Sequence, residues 1–366
     1  MPVNLSEFTT MRVGGPAREL VTATTTDDVV AAARAAWSVD APWLVLGGGS
    51  NLVVSDEGVD GTVIRVQTRG IEVGPAAPSG GTVLRVQAGE PWDAVVAFAV
   101  DAGLGGIEGL SGIPGSSGAA PIQNIGAYGQ ELSDTLVSIE FLDLLLDEVV
   151  TVPAAELGLG YRTSEIKQGR EGVVLSIELA LQPVEQPGGG STVRYEQLAS
   201  ALGVAVGDRM PLADIRAAVL ALRASKGMVL DPDDPDSVSC GSFFTNPIVS
   251  ENFARGLPQE MPRWPVEAPP GDVVTRLGDA APPPVPEADA VKLSAAWLIE
   301  QAGIPKGFAL PGSRAAISSK HTLAIMNRGE ATADEVAELA RYVRSVVLAR
   351  FGVMLQPEPV AVGVQF

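Results

Sequence analysis

Hydrophobic and polar positions in the first part of the chain predict short strands and one helix. Apolar residues at helical spacing follow Asp27 and Asp28 and predict a helix from Val29 to Trp37. The apolar run Trp43 to Leu46 predicts a buried strand, and the run Thr62 to Val66 predicts a second strand. This succession of strands and a short helix is typical of layered α/β or α+β structure and not of a helical bundle.

A similar pattern restarts near residue 80. Strands are predicted where apolar residues alternate or run together, and helices where the apolar spacing is helical and a proline lies in the first turn. The segment 183–192 contains three consecutive glycines and predicts a hairpin-type loop. The predicted strands are 82–89, 136–145 and 173–181, and the predicted helices are Pro91 to Ala102 and Pro211 to Ser225.

A proline-rich stretch marks the last third of the chain. Residues 251–291 contain nine prolines. Because proline lacks a backbone N–H and fixes φ, we expect this stretch to be an extended surface insertion without regular structure. Beyond it, Ser294 is expected to cap a helix that ends at Gln301, and Thr332 opens a capping box and a long amphipathic helix to about Ala349.

These patterns divide the chain into three units. The boundaries predicted from the sequence are 1–75 for the first unit, 76–226 for the second and 227–352 for the third, which contains the proline-rich stretch. The tail 353–366 has strand-like pieces and is expected to return to the first unit.

Composition narrows the class of protein. The 366 residues are 46% hydrophobic, and no run approaches the roughly 20 apolar residues that span a bilayer. A formal net charge of −19 argues against nonspecific binding to nucleic acid or anionic membranes. Any anionic ligand would therefore need a local cluster of cations. The single cysteine, Cys240, excludes an internal disulfide framework and favours a reducing cytoplasm, and no signal peptide is visible.

Two glycine-rich segments are candidates for binding phosphate. The first, Gly47 to Leu52, follows a predicted buried strand, and its glycines allow backbone N–H groups to approach a phosphate closely. Leu52 stands where a Rossmann fingerprint needs glycine, and no P-loop lysine follows. A plain glycine-rich turn is therefore an equally good interpretation of this segment taken alone.

The second segment, 109–129, has six glycines and two prolines but also interleaved Ile, Leu and Tyr residues. Flexible linkers lack such apolar residues, so an ordered loop that wraps a ligand is the better interpretation. Gln123 and Asn124 offer amide donors and acceptors to that ligand. Two such loops from adjacent units suggest a dinucleotide held between them.

The sequences LGGGSNLVVSD and GLSGIPGSSGAAPIQNIGAYGQEL resemble the FAD-binding segments of the UDP-N-acetylenolpyruvoylglucosamine reductase family. The resemblance implies an α+β protein: a two-subdomain FAD-binding fold of the vanillyl-alcohol-oxidase type, followed by a C-terminal α+β substrate-binding domain. It also implies non-covalent FAD. The implied cofactor contacts are Gly47, Gly48, Gly49, Ser50, Asn51, Leu52, Gly112, Ile113, Pro114, Gly115, Ser116, Gly118, Ala119, Gln123, Asn124, Gly126, Ala127 and Tyr128.

Three further segments, YRTSEIK, SCGSFFTNP and LQPEPV, resemble catalytic motifs of the same family. The resemblance implies that Ser242 donates a proton and that Arg162 and Glu358 assist and stabilise the intermediate. Reduction of an enol ether conjugated with a carboxylate needs a hydride at one carbon and a proton at its neighbour, and the flavin N5 supplies the hydride. A guanidinium suits the negative charge that develops on the carboxylate. Each motif alone is also compatible with a structural turn or a surface ion pair.

Four residues resemble substrate contacts of the family: Tyr195, Lys226, Asn246 and Gln301. Lys226 resembles a lysine that meets the diphosphate of the ligand, although a lysine at a helix C-terminus also has a plain electrostatic explanation. The two amides are equally compatible with capping or surface positions.

The lone histidine, His321, has no nucleophile elbow to accompany it, so we expect a structural or peripheral role. Cys240 lies two residues before Ser242 and is expected near the site, without a flanking cation to lower its pKa. No spacing of His, Cys, Asp and Glu predicts a metal site.

The resemblance implies a cytoplasmic, monomeric enzyme of peptidoglycan precursor synthesis. The expected reaction is the NADPH-dependent reduction of UDP-N-acetylglucosamine enolpyruvate, with a nucleotide sugar as ligand and with neither nucleic acid nor membrane as partner. One alternative is an FAD-linked oxidase or dehydrogenase of the same flavin fold, in which His or Cys often tethers the flavin. A second is a catalytically inactive nucleotide-sugar-binding protein, which would be favoured if Ser242, Arg162 or Glu358 were absent.

Overall fold

The computed structural model describes residues 3–76, 80–184, 189–266 and 290–366. In these ranges no helix combines the length and the apolar character that crossing a bilayer requires. The α-helices are α1 (Thr26–Trp37), α2 (Trp92–Asp101), α3 (Glu196–Leu202), α4 (Leu212–Ala224), α5 (Glu251–Arg255), α6 (Ala295–Gln301) and α7 (Ala333–Phe351).

The N-terminal unit is a small parallel sheet with one helix. Its sheet has the order β1-β4-β2. Both β1 and β2 run parallel to the central strand β4, and α1 connects β1 to β2 across the sheet. A capping box formed by Thr25 and Asp28 begins this helix, and its buried face packs on the sheet. The strands are β1 (Ala17–Ala23), β2 (Trp43–Leu46), β3 (Leu52–Val54) and β4 (Val59–Val66).

The second unit is built on an antiparallel sheet of order β11-β10-β12-β6-β5, with β7 paired to the end of β12. The central strand β12 is buried along most of its length, which explains its nearly continuous apolar sequence. The strands are β5 (Ile71–Ala76), β6 (Thr82–Gln87), β7 (Leu104–Gly105), β8 (Gly126–Ala127), β9 (Gln130–Glu131), β10 (Leu136–Asp143), β11 (Glu148–Pro153) and β12 (Gly172–Pro183).

The C-terminal unit packs short strands around α6 and α7. The buried face of α7 forms one core with Phe243, Phe244 and residues of the N-terminal segment such as Met11. The remaining strands of the described chain are β13 (Ser191–Thr192) and β14 (Arg209–Met210), which lie before this unit, and β15 (Ile248–Ser250), β16 (Arg263–Val266), β17 (Ala290–Leu293), β18 (Ala315–Ile317), β19 (Ile325–Asn327) and β20 (Val360–Val362).

The C-terminal tail pairs with the N-terminal unit. Strand β20 runs parallel to β3, with Val360 opposite Leu52 and Val362 opposite Val54. Because β3 directly follows the first glycine-rich loop, this pairing carries the segment around Glu358 to that loop. The N–H of Val360 donates a 2.9 Å hydrogen bond to the Asn51 carbonyl and fixes the register.

Most predicted elements are observed with ends shifted by a few residues. Ser294 caps α6 by accepting the N–H of Trp297, and Thr332 forms the predicted capping box with Glu335 at the start of α7. The prediction for 251–291 is wrong at both ends. There α5 and β16 precede the most proline-rich part, and β17 follows it, because the prolines cluster and leave regular segments at the edges. The centre of this stretch and of the predicted loop 183–192 lies outside the described residues.

Candidate active site

The two glycine-rich loops touch along their backbones. A Cβ atom on Gly48 would lie 2.6 Å from the Gly115 Cα atom, a distance that real Cβ atoms do not reach. The hydroxyl of Ser50 donates a 2.8 Å hydrogen bond to the carbonyl of Pro114. Glycine at position 48 therefore lets the loop after β2 and the loop of the second unit form one continuous surface.

A cavity of about 130 Å³ lies between these loops. The backbone N–H groups of Gly48, Gly49 and Ser50 donate to no other described residue, so they are available to an anion. Successive N–H groups of this kind suit the phosphates of a dinucleotide. The predicted cofactor contacts that line this cavity are Gly47, Gly48, Gly49, Ser50, Asn51, Leu52, Ile113, Pro114, Gly115, Ser116, Ala119 and Gln123.

A second cavity of about 240 Å³ opens beyond the loops. The two cavities share lining residues, among them Asn51 and Gln123, whose side-chain amides are joined by a 2.8 Å hydrogen bond. Gly126, Ala127 and Tyr128, predicted as cofactor contacts, line this second cavity and not the first. They face the space where a substrate would meet the cofactor.

Three other predicted cofactor contacts, Gly112, Gly118 and Asn124, line neither cavity. A Cβ on Gly118 would lie 2.6 Å from the Ala88 Cβ, so this glycine packs the second loop onto the sheet. Asn124 is buried, and its backbone adopts a left-handed conformation with φ 44°. Its side-chain amide donates a 3.1 Å hydrogen bond to the Gly160 carbonyl. Gly118 also lines a third, smaller cavity of about 80 Å³ beside the loops. Contact of these three residues with the cofactor stays a prediction.

The three predicted catalytic residues, Ser242, Arg162 and Glu358, all line the second cavity. Arg162 has φ 56°, a conformation that non-glycine residues rarely adopt and that recurs at functional sites. Its guanidinium donates to the Gly126 carbonyl at 2.5 Å, and its Nε lies 3.4 Å from Glu358 Oε1. The side chains of Arg162 and Glu358 are only 19% and 15% exposed.

The Glu358 carboxyl lies in a buried position that opposes its charge. Burial raises its pKa above the ordinary value, and the nearby Arg162 and Lys167 act in the opposite direction. Burial likewise lowers the pKa of Lys167, whose Nζ donates a 3.1 Å hydrogen bond to the Arg162 carbonyl. Sequence reasoning missed Lys167, although it lies within the same YRTSEIK motif.

The lining of the second cavity also includes Tyr128, Tyr195, Lys226 and Arg223. The two tyrosine rings meet edge to face with centroids 5.7 Å apart. Lys226 Nζ lies 5.8 Å from the centre of the Tyr128 ring and donates to Gln197 Oε1 at 2.8 Å. Burial, followed by the charge of Arg223, lowers the pKa of Lys226.

Arg223 is a site residue that sequence reasoning missed. It is 6% exposed, its Nη2 donates to the Met228 carbonyl at 2.9 Å, and its buried Nε has no partner among the described residues. Burial lowers its pKa. Its position one helical turn before Lys226 was the available signal, because residues three apart on a helix share a face.

Comparison with known proteins places this site in a family. Residues 17–152 match an FAD binding domain, and residues 233–362 match the C-terminal domain of UDP-N-acetylenolpyruvoylglucosamine reductase. A reductase of that name from Leifsonia xyli is 59% identical over 99% of this chain and 98% of its own length. The chain belongs to the UDP-N-acetylenolpyruvoylglucosamine reductase family. Members of this family are oxidoreductases, and the N-terminal match indicates FAD as the cofactor.

Further UDP-N-acetylenolpyruvoylglucosamine reductases extend the comparison. The protein from Mycobacterium tuberculosis is 45% identical over 99% of this chain and 94% of its own length. The crystal structure of the reductase from Thermus caldophilus has a TM-score of 0.61 at 28% identity, covering 99% of this chain and 98% of that one. The predicted fold, an FAD-binding part followed by a C-terminal domain of this reductase family, is thereby confirmed.

Two predicted substrate contacts, Asn246 and Gln301, lie outside both cavity linings. Asn246 Oδ1 accepts the N–H of Ala295 at 3.0 Å, so its amide helps to hold the start of α6. Gln301 is exposed at the C-terminal end of the same helix. Their contact with substrate in this member of the reductase family stays a prediction.

The expectation of a structural or peripheral role for His321 does not match its location. It lines the second cavity, and its Nε2 lies 3.4 Å from Ser242 Oγ. His321 is therefore not peripheral. Sequence reasoning missed this proximity because the two residues are far apart in sequence and only the tertiary fold brings them together. Cys240 lies near the site as expected, where burial raises the pKa of its thiol to about 12. Among the described residues no cluster of His, Cys, Asp and Glu has the arrangement of a metal site.

Proposed function

We propose that the chain reduces UDP-N-acetylglucosamine enolpyruvate to UDP-N-acetylmuramate, with NADPH as the reductant, for peptidoglycan precursor synthesis. The observation that carries this proposal is the shared cavity of Ser242, Arg162 and Glu358, which adjoins the cavity between the glycine-rich loops. FAD held between the loops would accept a hydride from NADPH and deliver one to the enolpyruvyl group.

Arg162 stabilises the negative charge that the hydride pushes into the substrate carboxylate. A guanidinium is permanently cationic and can bind a carboxylate through two N–H groups. Its bonds to Gly126 and its pairing with Glu358 hold it in place before the substrate arrives, so little reorganisation is needed during the reaction. Glu358 therefore helps to orient the guanidinium.

Ser242 supplies the proton. An alcohol is a weak acid, but the carbon next to an enediolate-like group is strongly basic, and a positioned donor is worth roughly 10²–10⁴-fold in rate. The Ser242 O–H bond breaks as the new C–H bond forms. The backbone of the following residue, Phe243, is hydrogen bonded to Leu323 on one side and Glu358 on the other, which fixes the serine.

The anionic ligands meet a local cluster of cations. The whole chain carries a formal charge of −19, which repels them at long range. Arg223 and Lys226 line the same cavity as Arg162, so they supply positive charge for a diphosphate within it. The two tyrosines beside them, Tyr128 and Tyr195, offer apolar faces and hydroxyl groups to the rest of a nucleotide sugar.

The two half-reactions test this function separately. Stopped-flow absorbance should show that NADPH bleaches the bound flavin and that the enolpyruvyl substrate restores its colour as UDP-N-acetylmuramate forms. Ser242→Ala should keep the bleaching rate and slow the recovery about 10²-fold or more. Ser239→Ala, a buried serine of the same segment outside the cavity lining, should recover at the wild-type rate. Normal recovery in Ser242→Ala would contradict the proton-donor role.

Acid precipitation separates this function from that of an oxidase with a tethered flavin. FAD held without a covalent bond should remain in the supernatant when the protein precipitates. A yellow pellet would favour the tethered-flavin oxidase.

A further inference from the structure

His321 lies against the hydroxyl of Ser242. The distance from His321 Nε2 to Ser242 Oγ is 3.4 Å. This is long for a hydrogen bond, but catalytic hydrogen bonds often tighten only when the ligand is bound. Both side chains line the second cavity, so the contact is made at the place where a substrate would bind.

Backbone hydrogen bonds fix the turn that carries His321 relative to Ser242. The N–H of Phe243 donates to the Leu323 carbonyl at 2.7 Å. Within the turn, Ser318 Oγ accepts the N–H of His321 at 3.1 Å and donates to Asp236 Oδ1 at 2.6 Å. The fold therefore holds the turn that carries the imidazole beside the serine loop.

The surroundings of His321 favour a neutral ring. Burial is the main reason that its pKa falls to about 4, and the charges of Lys226, Lys306 and Arg223 add to the effect. A neutral imidazole has one N–H group and one bare nitrogen. Which of these faces Ser242 decides where the single hydroxyl hydrogen of the serine points.

We propose that His321 is a positioning residue that donates its Nε2–H to Ser242 Oγ and so directs the hydroxyl hydrogen towards the substrate carbon. This inference rests on the proposed role of Ser242. As the O–H bond breaks, the proton enters the new C–H bond, the electron pair stays on Oγ, and the Nε2–H group stabilises it. A proton from solvent water then restores the hydroxyl.

The opposite arrangement would hinder the reaction. If Nε2 were bare, the Ser242 hydroxyl would donate to it, and its hydrogen would point away from the substrate. The serine would then have to rotate and lose a hydrogen bond before it could act. The cationic side chains around the ring also disfavour protonation at both nitrogens, so His321 acts as a neutral donor at neutral pH.

Variants of His321 test this inference through the recovery half-reaction. His321→Leu removes the donor, and we expect recovery of the flavin colour by the substrate to slow roughly 10- to 100-fold, with NADPH bleaching and substrate Kd unchanged. His321→Gln keeps an N–H donor at a similar reach and should regain most of the rate. Lys320→Gln is the matched control, because Lys320 is on the same turn but pairs with Asp234 at 2.8 Å.

A double variant distinguishes this inference from the proposed function. If His321 acts only through Ser242, adding His321→Leu to Ser242→Ala should slow recovery no further. Full additivity, or a wild-type rate in His321→Leu, would overturn the inference while a slow Ser242→Ala upholds the proton donor. A normal rate in Ser242→Ala would overturn the proton-donor role on which the inference rests, whereas failure of the wild-type protein to form UDP-N-acetylmuramate would overturn the proposed function itself. Thermal melting of each flavin-loaded variant checks that the fold is intact.

Discussion

The backbone N–H of Glu358 donates a 2.9 Å hydrogen bond to the carbonyl of Phe243, the residue that follows Ser242. A neighbouring antiparallel bridge joins Phe244 to Pro357. These contacts place the carboxylate of the C-terminal tail beside the serine loop. The tail is in turn held by β20 on β3, so one short segment of the tail contacts the first glycine-rich loop, the Arg162 guanidinium and the residue that follows Ser242.

Replacing Glu358 should therefore affect the chemical step more than substrate binding. In Glu358→Gln the Arg162 guanidinium loses its carboxylate partner at 3.4 Å and is less well oriented. We expect kcat to fall about 10- to 100-fold while KM changes little, since the interaction matters most when charge develops in the transition state. Steady-state kinetics with varied nucleotide sugar measures both quantities.

The buried ion pair between Asp143 and Arg170, 3.0 Å apart and outside both cavity linings, provides the control. Asp143→Asn should lower the free energy of unfolding by about 1–3 kcal/mol and leave kcat unchanged. A Glu358→Gln enzyme that loses stability but keeps its kcat would reduce this residue to a structural role.

Replacing Arg223 should weaken binding of the anionic substrate without destabilising the protein. Its charge is buried and only partly hydrogen bonded, so Arg223→Met removes a desolvated charge. Burying a charge that is not fully paired and hydrogen bonded costs free energy, so its removal offsets the packing and the hydrogen bond that the variant loses. We expect KM and Kd for the nucleotide sugar to rise roughly tenfold or more, equivalent to about 1.4 kcal/mol.

Arg216 lies on the same helix α4 and pairs with Asp93 at 2.6 Å outside the cavity. Arg216→Met should show the reverse pattern, with lower stability and unchanged KM. Equal KM values in the two variants would show that Arg223 does not contact the ligand.

The sequence predicts local structure and motif residues well. Capping residues such as Thr332 act within one turn of a helix, so their effect is visible in a short segment. The neighbourhood of His321 is not visible, because it depends on the pairing of Phe243 with Leu323 across the C-terminal unit. Asn124 is a second residue whose tertiary contacts the sequence does not show. It belongs to a cofactor motif by sequence, yet its side-chain amide is hydrogen bonded to the Gly160 carbonyl and the Ser133 N–H.

The contact between the glycine-rich loops predicts a specific effect on FAD binding. In Gly48→Ala the new Cβ would lie 2.6 Å from Gly115 Cα, so the loops must separate and the cavity between them must change shape. We expect purified Gly48→Ala to contain less flavin and to bind added FAD with at least about tenfold higher Kd, a loss of about 1.4 kcal/mol. Fluorescence quenching on FAD titration measures this.

Gly74→Ala tests whether any added methyl group has this effect. A Cβ at Gly74 would lie 3.5 Å from Val83, an ordinary packing distance on a strand far from the loops. This variant should bind FAD like the wild type. A wild-type Kd in Gly48→Ala would instead show that the loops can separate freely.

The depressed pKa of His321 predicts a loss of stability in mild acid. The unfolded chain binds a proton at this residue below its ordinary pKa of 6.5, whereas the folded chain binds it only near pH 4. Between these values the unfolded state holds more protons, so the free energy of unfolding falls as pH falls. The lowered pKa of His321 changes the free energy of unfolding by at most about 3 kcal/mol over this pH range.

Guanidinium denaturation at about pH 7.5, 6.5 and 5.5 measures the effect. The free energy of unfolding should decrease less for His321→Gln than for the wild type. Parallel decreases in the two proteins would mean that His321 takes up its proton equally well in the folded state, and therefore that burial and the surrounding cations do not keep it neutral.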